Sequence, residues 1–438
     1  MKASTILGLN ARTQLFSYLY NRKKGKAIAV SKIKTEKVLK ANDVATPKII
    51  KKFKKPSDIL NFKWYSLPDS FALKPSRGLG GEGIIVVKKR TRDNEGWITT
   101  ARKRITPEDL KLHTLDILEG AYSLNNSPDV GFIQEYVGRH KAFRRLAYRG
   151  TPDIRVIVFN KIPVMAMMRL PTKDSGGRSN LHQGAVGVGI DLTTGITTKA
   201  IWYTKYIKYK PGTKRKLHGI KIPFWTKILR LAIEGQQVSG LGYLGIDIMI
   251  HPEKGPMIIE LNNQPGLQIQ LANGVGLRKR LERVEDLHVR DTEHGIKIAK
   301  ALFSTPLSDR VRSDEAILTI SALEEITIKG QDKTRKKVTA KVDTGAWRTS
   351  ISESLAQKMG LLEKNNILWS KTVRSSLGEQ VRPIISLTFW LSGRKITTAA
   401  SVAKRMALKY PIIIGRKDLK GLLIDPQISI DRIKKARQ

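Results

Sequence analysis

A chain of 438 residues with 40% hydrophobic side chains is long enough for more than one buried core and too apolar for a disordered polymer. It has no cysteine, which excludes disulfides, thiolate metal sites and cysteine nucleophiles. Its 80 lysines and arginines against 38 acidic residues give a formal net charge of +42, a field that attracts polyanions such as nucleic acid, a ribosome, an acidic peptide or an anionic membrane surface.

No apolar run approaches the roughly 20 residues of a membrane span. The N-terminal MKASTILGLNARTQLFSYLY lacks the continuous apolar core and small-residue cleavage site of a signal peptide, and predicts a short amphipathic helix. A cytoplasmic location is the expectation. Helical spacing over Ser31–Ala45 puts Ile33, Val38 and Leu39 on one face, and Thr46-Pro47 stops it. Phe71–Lys74 and Ile84–Val87 predict strands joined by a glycine-rich loop. Further strands are predicted at Gly131–Val137, Asp153–Phe159, Pro163–Arg169, Gly245–Ile250 and Met257–Leu261, with helices over Pro223–Gly240 and Val284–Phe303. Strands and helices mix without a regular βαβ alternation, which predicts an α+β fold. Ser304–Asp309 has the composition of a linker. From Ile317 short strands rich in Val, Ile and Thr dominate, predicting a small all-β domain. The expected organisation is therefore residues 1–300, a linker over 301–316, and 317–438.

Two stretches carry chemistry. Met257-Ile258-Ile259 is an apolar run that ends on Glu260 and Asn262; residues i and i+2 of a strand share a face, and two oxygen donors side by side suit a hard cation such as magnesium. The loop Ser76-Arg77-Gly78-Leu79-Gly80-Gly81-Glu82-Gly83 follows Lys74, and glycines let backbone N–H groups approach an anion closely. It is not a Walker loop, since no Gly-Lys-Ser/Thr ends it.

These two stretches stand in order with Gln134-Glu135-Tyr136-Val137, Asp153-Ile154-Arg155, Arg178-Ser179-Asn180-Leu181-His182-Gln183-Gly184 and Asp247-Ile248-Met249. Over roughly residues 25 to 275 the set resembles the ATP-grasp superfamily, above all the ligases that add glutamate to the C-terminus of a ribosomal protein. The resemblance implies an ADP-forming carboxylate–amine ligase that works through an acylphosphate with ATP and Mg2+ (or Mn2+). It implies that Lys32, Lys74 and the loop residues Ser76, Gly78, Gly80, Gly81 and Gly83 bind the triphosphate. Gln134, Glu135 and Val137 are implied to line the adenine and ribose pocket, and Asp247, Glu260 and Asn262 to ligate the metal. Arg155, Arg169, Arg178 and Asn180 are candidates for holding the acylphosphate and a substrate carboxylate, because guanidinium pairs bidentately with such groups. His182 is read equally as a substrate-orienting or a structural histidine. The segment Thr91–Asp129 and the basic Gly138–Gly150 exceed the ribosomal-protein ligases' pattern, as a substrate-facing lid or a polyanion contact would.

In the last domain, Val338–Ser350 reads VTAKVDTGAWRTS, and Tyr410–Leu419 reads YPIIIGRKDL. Asp343-Thr344-Gly345 followed at this distance by an apolar run and Gly415-Arg416 resembles the retropepsin-like aspartic peptidases, closest to the small bacterial branch often described as ATP-dependent zinc proteases. Such a mechanism needs two carboxylates sharing a proton. One Asp343 per chain implies a homodimer, with Thr344 supporting the carboxylate and Gly415 and Arg416 shaping the fold beneath. Zinc does not fit: this domain has no histidine. The combined reading is an ATP-grasp ligase acting on an amino acid or peptide, glutamate among the candidates, with a polyanionic or ribosomal partner, fused to a peptidase-like domain. The alternative is a nucleotide-binding, dimerising interaction module without peptidase activity.

Overall fold

The computed structural model describes residues 3–78, 80–303, 319–332, 334–375, 378–404, 410–419 and 422–426. The linker expected over 301–316 lies outside them from residue 304 onward. The chain forms two compact units, Met1–Ile190 with Gly195–Glu285, and Asp191–Thr194 with Asp286–Gln438.

The first unit contains two antiparallel sheets. One consists of β1 (Ile49–Phe53), β2 (Phe71–Pro75), β3 (Ile85–Arg90), β4 (Trp97–Thr99), β5 (Arg104–Ile105) and β6 (Gly131–Glu135), in spatial order β1-β6-β2-β3-β4-β5. Phe53, Trp64, Phe71, Trp97, Leu110 and Ile117 are buried together on it; each such side chain contributes roughly 1.5–3 kcal/mol by leaving water. The segment Thr91–Asp129 is thus part of this sheet and its cover. It supplies β4, β5 and the helix Pro107–Leu118, which starts at a capping box between Thr106 and Asp109.

The second sheet consists of β7 (Asp153–Phe159), β8 (Ile162–Leu170), β9 (Val186–Ile190), β10 (Thr197–Trp202), β11 (Lys205–Ile207), β12 (Tyr243–His251) and β13 (Gly255–Asn262), in order β11-β10-β9-β8-β7-β12-β13. The strand expectations hold to within a few residues, and β9–β11 are additions. Glycines obscured β9, whose sequence is VGVGI. Gly189 is required because a Cβ there would lie 2.5 Å from the Ala272 carbonyl of the helix Ile269–Asn273 packed above it. The amphipathic helix Trp225–Ser239 covers β12 and β13, where a Cβ on Gly235 would meet Ile258 at 2.7 Å. The N-terminal segment also docks on this unit. Phe16 sits edge-on to Phe159 with centroids 5.5 Å apart, and Asn21 donates to the Tyr243 carbonyl at 2.8 Å.

The helix predicted over Val284–Phe303 is only Thr292–Leu302, because the Asp291 carboxylate caps it by accepting from the His294 N–H. It belongs to the second unit, not to the first as its place before residue 300 suggested. That unit holds β14 (Thr319–Ile320), β15 (Leu323–Lys329), β16 (Arg335–Asp343), β17 (Ser350–Ser352), β18 (Ile367–Ser375), β19 (Gly378–Leu391), β20 (Arg394–Ala403), β21 (Ile412–Gly415) and β22 (Leu423–Ile424). The order β15-β16-β21-β17-β20-β19-β18, with β15 also paired to β19, closes a small barrel around Ile326, Leu387, Phe389 and Ile414. Closure removes most free edges.

Candidate active site

A cavity of about 980 Å3 opens in the first unit between its two sheets. Lys74 enters from β2, with Gly78, Gly80 and Gly81 beyond it. Gly80 and Gly81 have φ of 62° and 83°, a left-handed backbone natural only to glycine. Lys32, at the start of the helix Lys32–Ala41, reaches the same space, donating to the Gly78 carbonyl at 2.9 Å and pairing with Glu260 at 3.1 Å. Burial and the neighbouring Lys32 charge push the Lys74 ammonium down to about 8. Two close ammonium groups with one carboxylate between them leave an electropositive pocket beside a glycine turn, which suits an oligophosphate.

The opposite wall comes from β13. A register shift between β12 and β13 at Asp247/Ile248 leaves Ile259 as an extra residue, so Ile259, Glu260 and Asn262 all line the cavity while Ile258 faces the covering helix. Asp247 pairs across strands with Arg155 on β7 and Glu260 on β13, and Asp153 pairs with Arg169 on β8. Charge therefore forms a row across the sheet. Arg155 grips Asp247 through Nε and Nη2, both at 2.7 Å. Arg169 holds Asp153 at 2.5 and 2.8 Å and reaches Asp247 at 2.7 Å. The Asn262 amide adds a donor to Asp247 at 3.2 Å. Burial pushes the Asp247 carboxyl up, but Arg155 and Arg169 outweigh it and hold it low. Burial raises Asp153, against Arg169 and with the charge of Asp247 beside it.

The donors fit a magnesium ion brought in on phosphates. Glu260 and Asn262 present oxygens to the cavity, and such an ion takes one or two protein ligands beside phosphates and water. Asp247 is less available, because its carboxylate already accepts from Arg155, Arg169 and Asn262. No group of three or more His, Cys, Asp or Glu gathers for a metal among the described residues.

Glu135 and Val137 line the cavity where β6 ends. Gln134, expected beside them, is buried instead. It accepts from Lys74 at 2.8 Å and donates to the Pro47 carbonyl at 2.9 Å, so it aims the lysine. Ser76 also turns inward, with its hydroxyl 3.0 Å from Ser31, the cap of the Lys32 helix. Gly83 lies behind the loop. A Cβ there would meet Tyr122 at 2.5 Å, and its carbonyl contacts His113 at 2.9 Å. His113 and Tyr122 buttress the loop and were not singled out from sequence; they sit in a segment whose role no motif marked. Arg178, Asn180 and His182 line the cavity; Asn180 donates to the Gly80 carbonyl at 3.2 Å and accepts from the His182 N–H at 3.0 Å. Among the described residues the Arg178 guanidinium has no hydrogen-bond or ion-pair partner, unlike Arg155 and Arg169.

In the second unit, Asp343 ends β16 in parallel register with Gly415 of β21. Its carboxylate accepts from the Gly345 and Ala346 N–H groups at 2.8 and 3.1 Å. Gly415 has no room for a side chain, since a Cβ would lie 2.5 Å from the Arg348 backbone. Arg416 donates its N–H to the Ala346 carbonyl at 2.8 Å and stacks over Trp347, so it fastens the turn from beneath. Thr344 is exposed.

Two sheets closing on a cavity, with a lysine and a glycine loop from one, a second lysine from a helix start and acidic strand ends from the other sheet, define the ATP-grasp class. The chain belongs to the sugar-transfer associated ATP-grasp family, whose model matches residues 10–286. No curated protein matches. Among solved structures the chain is similar to the ATP-grasp ligase PsnB complexed with precursor peptide PsnA2 and AMPPNP, at 13% identity and TM-score 0.32 over 61% of this chain and 59% of that one. It spans, then, little more than half of that ligase. It is also similar to protein Lpg0085 of unknown function from Legionella pneumophila, at 18% identity and TM-score 0.19, over 26% of this chain and 97% of that one. The simian foamy virus protease matches at 21% identity and TM-score 0.17, over 22% of this chain and 90% of that one.

Proposed function

We propose that the first unit is an ADP-forming carboxylate–amine ligase that uses ATP and Mg2+ (or Mn2+) to join an amino acid, with glutamate the first candidate, to an acceptor. The observation that carries this reading is that Lys32, Lys74, Gly78, Gly80, Gly81, Glu260 and Asn262 line one and the same cavity. Lys32 and Lys74 hold the phosphates. Glu260 and Asn262 hold the metal, which when bound spreads the charge of the transferring phosphoryl group. The free guanidinium of Arg178 binds the substrate carboxylate and the acylphosphate made from it, while Asn180 ties its segment to the glycine turn. Arg155 and Arg169 keep Asp247 and the sheet rigid behind the reacting groups. Attack of an amine on the acylphosphate then forms the amide and releases phosphate. A cytoplasmic location, where ATP is supplied, belongs to this reading; no described helix is long and apolar enough to cross a membrane.

The purified chain is to be incubated with ATP, magnesium and single amino acids, and ADP release measured beside Glu260→Ala. Amino-acid-dependent ADP formation that disappears in the variant supports the ligase. Nucleotide binding without turnover, in the presence of cell extract as acceptor source, sinks it in favour of a nucleotide-binding module.

For the second unit we propose a retropepsin-like barrel in which hydrolysis requires a homodimer, because one Asp343 supplies one carboxylate. Peptide cleavage that rises with protein concentration and is abolished by Asp343→Asn supports it; cleavage indifferent to Asp343→Asn refutes it.

A further inference from the structure

The first unit also carries a long acid-free stretch outside the cavity. Between Asp191 and Glu234 there is no acidic residue and there are ten lysines and arginines. Tyr203, Tyr206 and Tyr209 lie along the hairpin there, 50%, 56% and 47% exposed. Solvated lysines alone are an ordinary surface; three exposed tyrosines interleaved with them are not. The strand at their centre, β11, is the edge of the seven-stranded sheet, and among the described residues no strand pairs with its outer side.

This hairpin continues into a second acid-free basic segment. Residues 139–149 contain Arg139, Lys141, Arg144, Arg145 and Arg149. The His140 ring lies 6.0 Å from that of Phe224, just past the hairpin. Burial and the charges of Arg215 and Arg139 hold the Lys210 ammonium below its ordinary value, so like charges crowd here unneutralised. At its other end the surface reaches the cavity. Tyr203 donates to Asp174 at 3.4 Å, and Gly176, Gly177 and Gly150 just beyond line the cavity.

We propose that this tyrosine-studded basic surface, running from the β11 edge across residues 139–149 to the cavity mouth, binds an acidic peptide that is the acceptor or donor chain of the ligation. The inference rests on the ligase reading. Lysines pair with the peptide's carboxylates, and tyrosines cover its apolar stems. The free edge of β11 offers main-chain hydrogen bonds to an extended peptide, which a nucleic acid does not use. A peptide also ends in the carboxylate and amine that the cavity's chemistry joins.

The test uses the full chain and a short fluorescein-labelled peptide of alternating Glu and Ala, read by anisotropy at two salt concentrations. A variant carrying Lys205→Glu, Lys208→Glu and Lys214→Glu, all exposed positions, is compared with the parent. The expected result is peptide binding by the parent that weakens with salt, and about a tenfold or greater loss in the variant. A fluorescent ADP analogue should bind both proteins equally, which reports intact folding. Equal peptide affinity in the two proteins overturns the proposal, and so does tighter binding of an oligothymidylate of equal length than of the peptide. Loss of nucleotide binding in the parent, with peptide binding retained, strikes instead at the ligase reading.

Discussion

Arg155 and Arg169 on one side, and Arg178 on the other, carry the same group into the same cavity under opposite conditions. The first two are almost fully buried and spend their donors on Asp153 and Asp247. Arg178 follows the glycines at 176 and 177 and meets no partner among the described residues. Two guanidiniums against two carboxylates make a neutral, rigid block. The lone guanidinium leaves its donors for whatever enters. Charge in a site thus divides into a part that holds the walls and a part that recognises, and only the hydrogen-bond partners tell them apart.

Removing a member of the block should have the largest effect. Arg169→Ala leaves Asp153 and Asp247 buried with a lost partner, and an uncompensated buried charge costs about 3–5 kcal/mol. Urea denaturation should show that loss, with ligase activity falling because the fold falls. Arg178→Ala should invert the pattern: stability within about 0.5 kcal/mol of the parent, as for an unpaired rim residue. Its turnover should drop about a hundredfold through a group that stabilises developing charge. If Arg178→Ala destabilises as much as Arg169→Ala, the division between wall and recognition fails. If Arg169→Ala leaves the denaturation midpoint unchanged, it fails from the other side.

A smaller effect is expected behind the glycine loop. Gly83→Ala would drive a methyl into Tyr122 and strain a residue at φ 67°. A cost of about 1–3 kcal/mol follows from overpacking and a left-handed alanine. Gly83→Ala combined with Tyr122→Ala should recover part of that cost if the clash is the cause, read again by denaturation.

The apolar framework of the site was legible. Asp153–Phe159 is uniformly apolar apart from Asp153 and Arg155, and it forms a strand buried along its length, as the pattern said. Glu260 and Asn262 share a wall as their spacing required, although the bulge that also brings Ile259 there leaves no mark in a sequence. What the residues could not say is which polar group answers which. Gln134 reads as a pocket residue beside Glu135, yet it is buried beneath the cavity wall, with its amide committed to Lys74 and the Pro47 carbonyl. Arg155 and Arg178 look equivalent until register places Asp247 opposite Arg155. Strand β9 was hidden because Gly187 and Gly189, where a Cβ has no room, lower the strand signal, whereas β10 and β11 have no glycine and are short stretches that each carry a lysine.

The most graded effect concerns the phosphate side. Burial and Lys32 bring the Lys74 pKa down to about 8, while an unfolded lysine titrates near 10.5. Between those values the unfolded chain binds more protons than the folded one, so this group adds stability as pH rises through that window and withdraws it below. Phosphate binding runs the opposite way, because it needs the ammonium. Below pH 8 Lys74 is charged and nucleotide affinity is flat; above it the affinity falls, by at most about tenfold per pH unit for one proton. A titration of a fluorescent nucleotide from pH 7 to pH 9.5 checks this. Lys74→Met should bind more weakly and lose the dependence, whereas Gln134→Met, which only releases the lysine from its acceptor, should weaken binding a few-fold and keep it. A dependence that survives in Lys74→Met would assign the titration to another group and remove Lys74 from the phosphate wall.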